Sequence, residues 1–239
     1  MTTFSIGNTE VSYPDSDGKP MADNTEQFRW IVLIKENLEI LFADDPNVFV
    51  AGDLLWYPVK SRLISPVAPD AMVAFGRPKG RRGSYKQWEE ENIAPQAVFE
   101  ILSPSNNASE MERKLEFYDT YGVQEYYQYD PDTNTLAGWI RRGVNLVPIE
   151  TMNGWVSPQL GIRFEMGTVP MQIYRPDGRR FLSPVELDQR AEQESQRADS
   201  AERSLQAAAG RLLAMGLSME QVAETLGLPI DQVRAMKGD

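Results

Sequence analysis

The sequence contains no histidine and no cysteine in its 239 residues. The missing cysteine removes disulfides, thiolate metal sites and cysteine nucleophiles, and leaves nothing that calls for an oxidising compartment. The missing histidine removes serine-histidine triads, histidine-ligated zinc and histidine general bases. Any hydrolytic chemistry has to come from carboxylates, lysine, hydroxyls and hard cations bound through oxygen.

Basic residues are also in short supply, 24 Lys and Arg against 35 Asp and Glu, for a net charge of −11. That sign opposes indiscriminate attachment to a phosphate backbone, although a local basic patch can still make contacts that the total hides. No apolar run approaches the ~20 residues of a membrane span. The N-terminal stretch MTTFSIGNTEVSYPDSDGKP lacks a basic region followed by an apolar one. The expectation is a cytoplasmic protein that makes no membrane contact.

What is present suits a packed core: 41% apolar and 25% charged residues, in a chain long enough for one sizeable α/β domain and an appendage. Residues 1–22 are polar and read as an irregular arm. A helix is expected after Asn24, where Phe28, Ile31, Ile34, Leu38 and Leu41 recur every three or four residues and Pro46 lies beyond the end. Three short apolar runs, VFVAGDLLWYPV, VAPDAMVAFG and QAVFEILS, read as strands. The last is nearly continuous, as in a strand buried on both faces. SEMERKLEFYDTYG reads as a helix ending at Gly122, and EYYQYDP as another strand. TLAGWI and NLVPIE can pair across RRGV, and IYRPDGRRFL carries a turn between two strand segments, which together suggest extra hairpins on the sheet.

This order is that of a mixed α/β domain over residues 23–184. Residues 185–206, rich in mixed charge and helix formers, suit a solvated helix or a short coiled coil. Residues 207–239 form a small helix-turn-helix-like tail, in which Ser218 and Gln221 make a capping box. In the tail Gln232, Arg234 and Lys237 are the residues suited to reading DNA. The acids Glu220, Glu224 and Asp231 weaken that reading in favour of protein association, with homo-oligomerisation through the C-terminal region as the expected outcome.

The candidate chemistry lies in three segments. Pro69-Asp70 starts one strand, Glu100 sits inside the next, and Lys114 falls on the following helix. A carboxylate within VFEILS is costly to desolvate unless it is paired, protonated or bound to a cation. Asp70 and Glu100 together, with the main-chain carbonyl of Ile101, can make an oxygen site for Mg²⁺ or Mn²⁺. Lys114 can then stabilise a phosphate in transit or assist the attacking water. The same residues also suit a simple turn and a buried salt-bridge group, and spacing alone does not choose between these readings. Asp53 is a further acid that suits a turn or a supporting role at the metal. Ser103, which suits a cap for the lysine helix or a group that orients a carboxylate, and the packing residues Tyr118 and Tyr127 are secondary candidates near the site. RPKGRRGSYKQW carries Arg77, Lys79, Arg81, Arg82 and Lys86 with Tyr85 and Trp88 interleaved. It suits nucleic-acid contact, a solvated connection or a dimer contact.

Across residues 25–180, the linked elements APD, EILSPS, the lysine helix and EYYQYDP resemble the Uma-two family of endonucleases, within the PD-(D/E)XK restriction-endonuclease-like superfamily. The resemblance implies a mixed sheet flanked by helices, Asp70 as first acid, Glu100 as second, and a nucleic-acid substrate, DNA in the first instance. The usual superfamily lysine, two residues after the second acid, is replaced here by Leu102, and the family's lysine on the succeeding helix corresponds to Lys114. The competing expectation is a binding or assembly protein that keeps the nuclease-like scaffold without catalysis.

Overall fold

The computed structural model describes residues 13–16, 18 and 20–236. Most of the expected N-terminal arm, and Lys237, lie outside them. The chain divides into two compact units, residues 1–182 and 183–239.

The first unit opens with α1 (Thr25–Leu41), whose cap Asn24 accepts a hydrogen bond from the Gln27 amide. Its buried stripe is Gln27, Trp30, Ile31, Ile34, Asn37 and Leu38, whereas Phe28, expected on the apolar face, is 47% exposed. The pattern misled because two polar residues, Gln27 and Asn37, occupy buried positions and shift the face away from Phe28. Each fully buried aliphatic side chain on this stripe contributes about 1.5–3 kcal/mol, so an acid at Ile34 would unseat the helix.

There follow β1 (Val48–Ala51), β2 (Trp56–Tyr57), β3 (Ala71–Phe75), β4 (Tyr85–Lys86), β5 (Ala97–Ile101), α2 (Ala108–Thr120), β6 (Glu125–Asp130), β7 (Thr135–Arg142), β8 (Asn145–Pro148), β9 (Arg163–Glu165) and β10 (Gln172–Tyr174). The main sheet has six strands in the order β1-β3-β5-β6-β7-β8. Only the β5–β6 pair within it is parallel, as a crossover through α2 requires. The run VFVAGDLLWYPV is not one strand: it breaks after β1 at Gly52 and Asp53, and Asp53 has φ 47°. The β7–β8 hairpin extends the main sheet, but β9 and β10 form a separate two-stranded sheet, held because Phe164 and Ile173 join the core on the α1 side.

Alternation along the strands sorts side chains to two faces. Val73, Phe99, Ile101 and Tyr127 pack with α1 on one face. Met72, Ala74, Val98 and Tyr126 pack with Tyr118 of α2 on the other. All five residues of β5 are buried, which explains its unbroken apolar run.

The second unit is helical: α3 (Pro184–Ala214), α4 (Met219–Leu226) and α5 (Ile230–Met236). Capping boxes start α3 at Ser183 with Glu186 and α4 at Ser218 with Gln221. Gly227, at φ 65°, ends α4 in the left-handed conformation that glycine adopts without steric cost. Its small core is Ala209, Val222, Ala223 and Val233. Ala209 is the one buried residue among those described in α3. No helix of the described residues is long and apolar enough to cross a membrane.

Candidate active site

The site is built on the antiparallel β3–β5 pair. Ala71 is opposite Phe99, so the next position outward sets Asp70 against Glu100. Directly opposed residues of an antiparallel pair point to the same face, and this is the face that α2 covers. Asp70 Oδ2 accepts a hydrogen bond from the Ile101 amide at 2.6 Å. Glu100 is 2% exposed and Asp70 9% exposed.

Helix α2 starts at Asn107, whose side chain accepts from the Glu110 amide. Ser103, considered as the cap, instead donates to Asp23 at 2.7 Å and receives no helix amide, because it lies four residues too early. From α2 project Lys114 and Tyr118, four residues apart and so on one side of the helix. Lys114 Nζ donates to Glu100 Oε2 at 2.7 Å, and the Tyr118 hydroxyl donates to Glu100 Oε1. Both oxygens of Glu100 are thus engaged by α2.

The electrostatics follow from burial. Loss of solvent, followed by the nearby Glu100 charge, holds the Asp70 carboxyl well above the usual aspartate range, against the opposing pull of the Ile101 amide and Lys114. Burial works against the Lys114 ammonium, but the Glu100 charge and hydrogen bond outweigh it, and the net shift is upward. The Tyr118 phenol is pushed well up by burial and then by Glu100. Lys114 pairs with Glu100 and with no oxygen of Asp70 at bonding distance among the described contacts, so Asp70 is the acid whose charged form is disfavoured.

Of the remaining sequence candidates, Asp53 lies in the turn after β1, donates its amide to Pro69 O at 3.0 Å, and lines the same cavity as Asp70. Gly52 beside it makes a close approach: a Cβ there would lie 3.1 Å from the Asp70 carbonyl oxygen. Tyr127 is not near the site. It belongs to the opposite face of the sheet, where its hydroxyl donates to Glu125 at 3.0 Å, because odd and even positions of β6 diverge. In the basic loop Arg77 pairs with Glu91 at 2.9 Å, Arg82 with Glu90 at 2.6 Å and Lys79 with Glu39 at 3.3 Å. Arg82 also lies over the Phe49 ring, and Tyr85 is buried. Arg81 is exposed and Lys86 half-buried. In the tail, Gln232 and Arg234 lie on α5, with Arg234 paired to Asp231 at 3.0 Å.

Sequence reading missed Gln27. Its side-chain amide donates to the Ile101 carbonyl at 2.8 Å, and its oxygen accepts from the Asp23 amide at 2.8 Å. The signal was available: a glutamine in phase with the apolar stripe of α1 is a polar group destined for burial. Beside these elements opens a cleft of about 880 Å³, bounded by residues 20–23 and Gln27, the loop before β3 and α2.

The residues are hard oxygen donors of the kind a small cation takes, although both Glu100 oxygens already accept from α2 and Asp70 Oδ2 accepts from the Ile101 amide. Asp70 and Glu100 supply carboxylates from one face, and the Ile101 carbonyl keeps a second lone pair beside its bond to Gln27. Among the described residues there is no cluster of three or more acidic, histidine or cysteine side chains arranged to hold a metal ion. Water and substrate phosphate would therefore complete the shell, as is common for Mg²⁺.

A family model described as "Uma2: Putative restriction endonuclease" matches residues 10–172. The chain belongs to the Uma2 family. This Uma2 protein has the mixed sheet and flanking helices expected of a restriction-endonuclease-like fold, and its family is one of nucleases. A solved structure from Anabaena variabilis, described as "a putative nuclease belonging to DUF820", is similar at 14% identity over 56% of this chain and 72% of that one, with a TM-score of 0.43. The search of curated proteins finds no match.

Proposed function

We propose that this Uma2 protein is a metal-dependent endonuclease that hydrolyses phosphodiester bonds of nucleic acid, DNA in the first instance. The observation that carries this reading is the register that opposes Asp70 to Glu100 on the face covered by Lys114. Asp70, Glu100 and the Ile101 carbonyl would hold Mg²⁺ or Mn²⁺. When bound, the ion supplies a Lewis acid for a phosphoryl oxygen and charge stabilisation for the leaving oxygen. Asp70 and Glu100 would hold the ion in a recessed position, 9% and 2% exposed, which limits the water that reaches it. Lys114, held at Glu100, is placed to donate to a non-bridging oxygen or to orient the attacking water. Asp53 and the exposed cation Arg81 are candidate auxiliary contacts.

Purified protein should nick DNA or RNA with Mg²⁺ or Mn²⁺, and Asp70→Ala and Glu100→Ala should abolish the cutting. Equal cutting by all three proteins rejects the assignment. The second reading, a binding or assembly protein on the same scaffold, rests on the Glu100–Lys114 pair being satisfied internally and on Leu102 standing where the usual lysine would be. Calorimetry separates the two: metal binding that disappears in Glu100→Ala belongs to the enzyme, and no binding by the native chain belongs to the scaffold. Residues 185–239 we assign to self-association.

A further inference from the structure

We propose that the loop joining β2 to β3, with Leu63 at its tip, receives an unpaired nucleic-acid strand at the mouth of the Asp70 cleft. This rests on the nuclease reading above and specifies its substrate. The loop is pinned at its base by Trp56 and Val67, which exchange main-chain hydrogen bonds of 2.8 and 3.2 Å. Its tip is shaped from within: the Ser61 amide donates to Val59 O at 2.9 Å and the Leu63 amide to Ser61 Oγ at 3.1 Å. A rigid base with a turned tip holds Leu63 out rather than letting it fold onto the core.

Leu63 is 91% exposed. Isolated exposed apolar residues are ordinary, but this one lines the cavity that contains Asp70, and so does Met21, itself 46% exposed. Lys60 and Arg62 flank the tip in sequence, and Arg113 of α2 lines the cavity. The cavity therefore combines exposed apolar groups at its mouth, the Phe117 and Tyr121 rings on its wall and the Arg113 guanidinium, and rings and guanidinium planes are the faces on which a splayed base stacks beside its phosphate contact.

Charge distribution argues for an unpaired strand over a duplex. Duplex binders that depend on the backbone neutralise roughly 6–10 phosphates. Here the cavity is lined by five carboxylates against Arg113 and Lys114, and Arg77, Lys79 and Arg82 are committed to Glu91, Glu39 and Glu90. Too few cations remain near the site to track two strands. A single strand needs fewer, because base contacts with apolar and aromatic groups share the work. Depth points the same way: a flexible strand can dip a phosphate toward the recessed Asp70 and Glu100, whereas a stacked duplex presents its phosphates on a stiff outer surface.

The test is fluorescence anisotropy on the full chain in EDTA, where no metal-dependent cutting occurs, with a short labelled single-stranded DNA, the same sequence as RNA, and the blunt DNA duplex. One of the single strands should bind about tenfold more tightly than the duplex, and Leu63→Ser should weaken that binding about tenfold. With Lys60 and Arg113 in contact, the slope of log K against log salt should be about −1.4, falling to about −0.7 in Lys60→Ala. Leu63→Ser should melt with the native protein, since its side chain is exposed. Duplex binding equal to or tighter than both single strands, no binding of any probe, or native binding by Leu63→Ser overturns the proposal. The cutting assay fails separately. The expected binding pattern without metal-dependent cutting rejects the enzyme and keeps the strand site, whereas cutting lost in Asp70→Ala with unchanged binding by Leu63→Ser rejects the strand site and keeps the enzyme.

Discussion

Lys114 Nζ lies 2.7 Å from Glu100 Oε2, so the one ammonium at the site among the described residues pairs with the more deeply buried of the two acids and leaves Asp70 as the disfavoured charge. Removing Lys114 should consequently separate binding from catalysis. Lys114→Met leaves Glu100 without its counter-ion, which should cost about 3 kcal/mol of stability in chelator. The same change should tighten Mg²⁺ binding, because the cation then takes over the neutralising role, while cutting falls ~10²-fold or more. Thermal melts with and without Mg²⁺, together with single-turnover cutting, check both halves. Weaker metal binding would contradict the assignment.

Asp70→Asn should stabilise the protein while abolishing cutting. The neutral amide keeps an acceptor for the Ile101 amide and removes a carboxylate whose protonation midpoint is raised by burial and by Glu100. The sign is set by linkage: a raised midpoint means that the folded state holds the proton more tightly, so the Asp70 contribution is most favourable below the unfolded value of ~3.9 and is lost as pH rises through the folded value. The stability advantage of the variant should therefore be small near pH 4 and grow on titration upward. Denaturant midpoints at a series of pH values measure it, and an advantage that shrinks with rising pH would be the wrong sign.

Metal removal gives the reverse effect. Saturating Mg²⁺ at 100 times its dissociation constant should raise native stability by ~2.7 kcal/mol, and EDTA should return it. Neither Asp70→Ala nor Glu100→Ala should respond. A melt that shifts equally in all three proteins would place the cation elsewhere.

Gly52→Ala probes the support of Asp70 from behind. The added methyl meets the Asp70 carbonyl at 3.1 Å, tight enough to displace it by a few tenths of an ångström without emptying any core position. Loss of stability should stay near 1 kcal/mol, while cutting should drop about tenfold or more, since small misplacements at a reacting centre are amplified. Activity and stability falling in proportion would indicate general damage.

Deleting residues 183–239 should leave unit one folded, because its two core clusters are drawn from residues 22–181. If α3 carries self-association, sedimentation should show the full chain heavier than a monomer and the shortened chain as a monomer. Identical association states would discard that assignment.

Local patterns in the chain were enough for much of this molecule. Absent histidine and cysteine restricted the chemistry to oxygen donors and lysine. The unbroken apolar run around Glu100 announced a strand buried on both faces, and Ser218 with Gln221 announced the start of α4, because propensity, capping and alternation act over a few residues. The order of Asp70, Glu100 and Lys114 was readable for the same reason. Their convergence was not. Whether two acids thirty residues apart meet depends on strand register, and one residue of slip would have sent Glu100 to the α1 side. Long-range contacts likewise decided that Gln27 reaches Ile101, that Tyr118 and not Tyr127 attends Glu100, and that Arg77 and Arg82 spend their charge on Glu91 and Glu90. Each depends on which face a residue finds once the sheet has formed, and that is settled by packing across the whole domain rather than by neighbours in sequence.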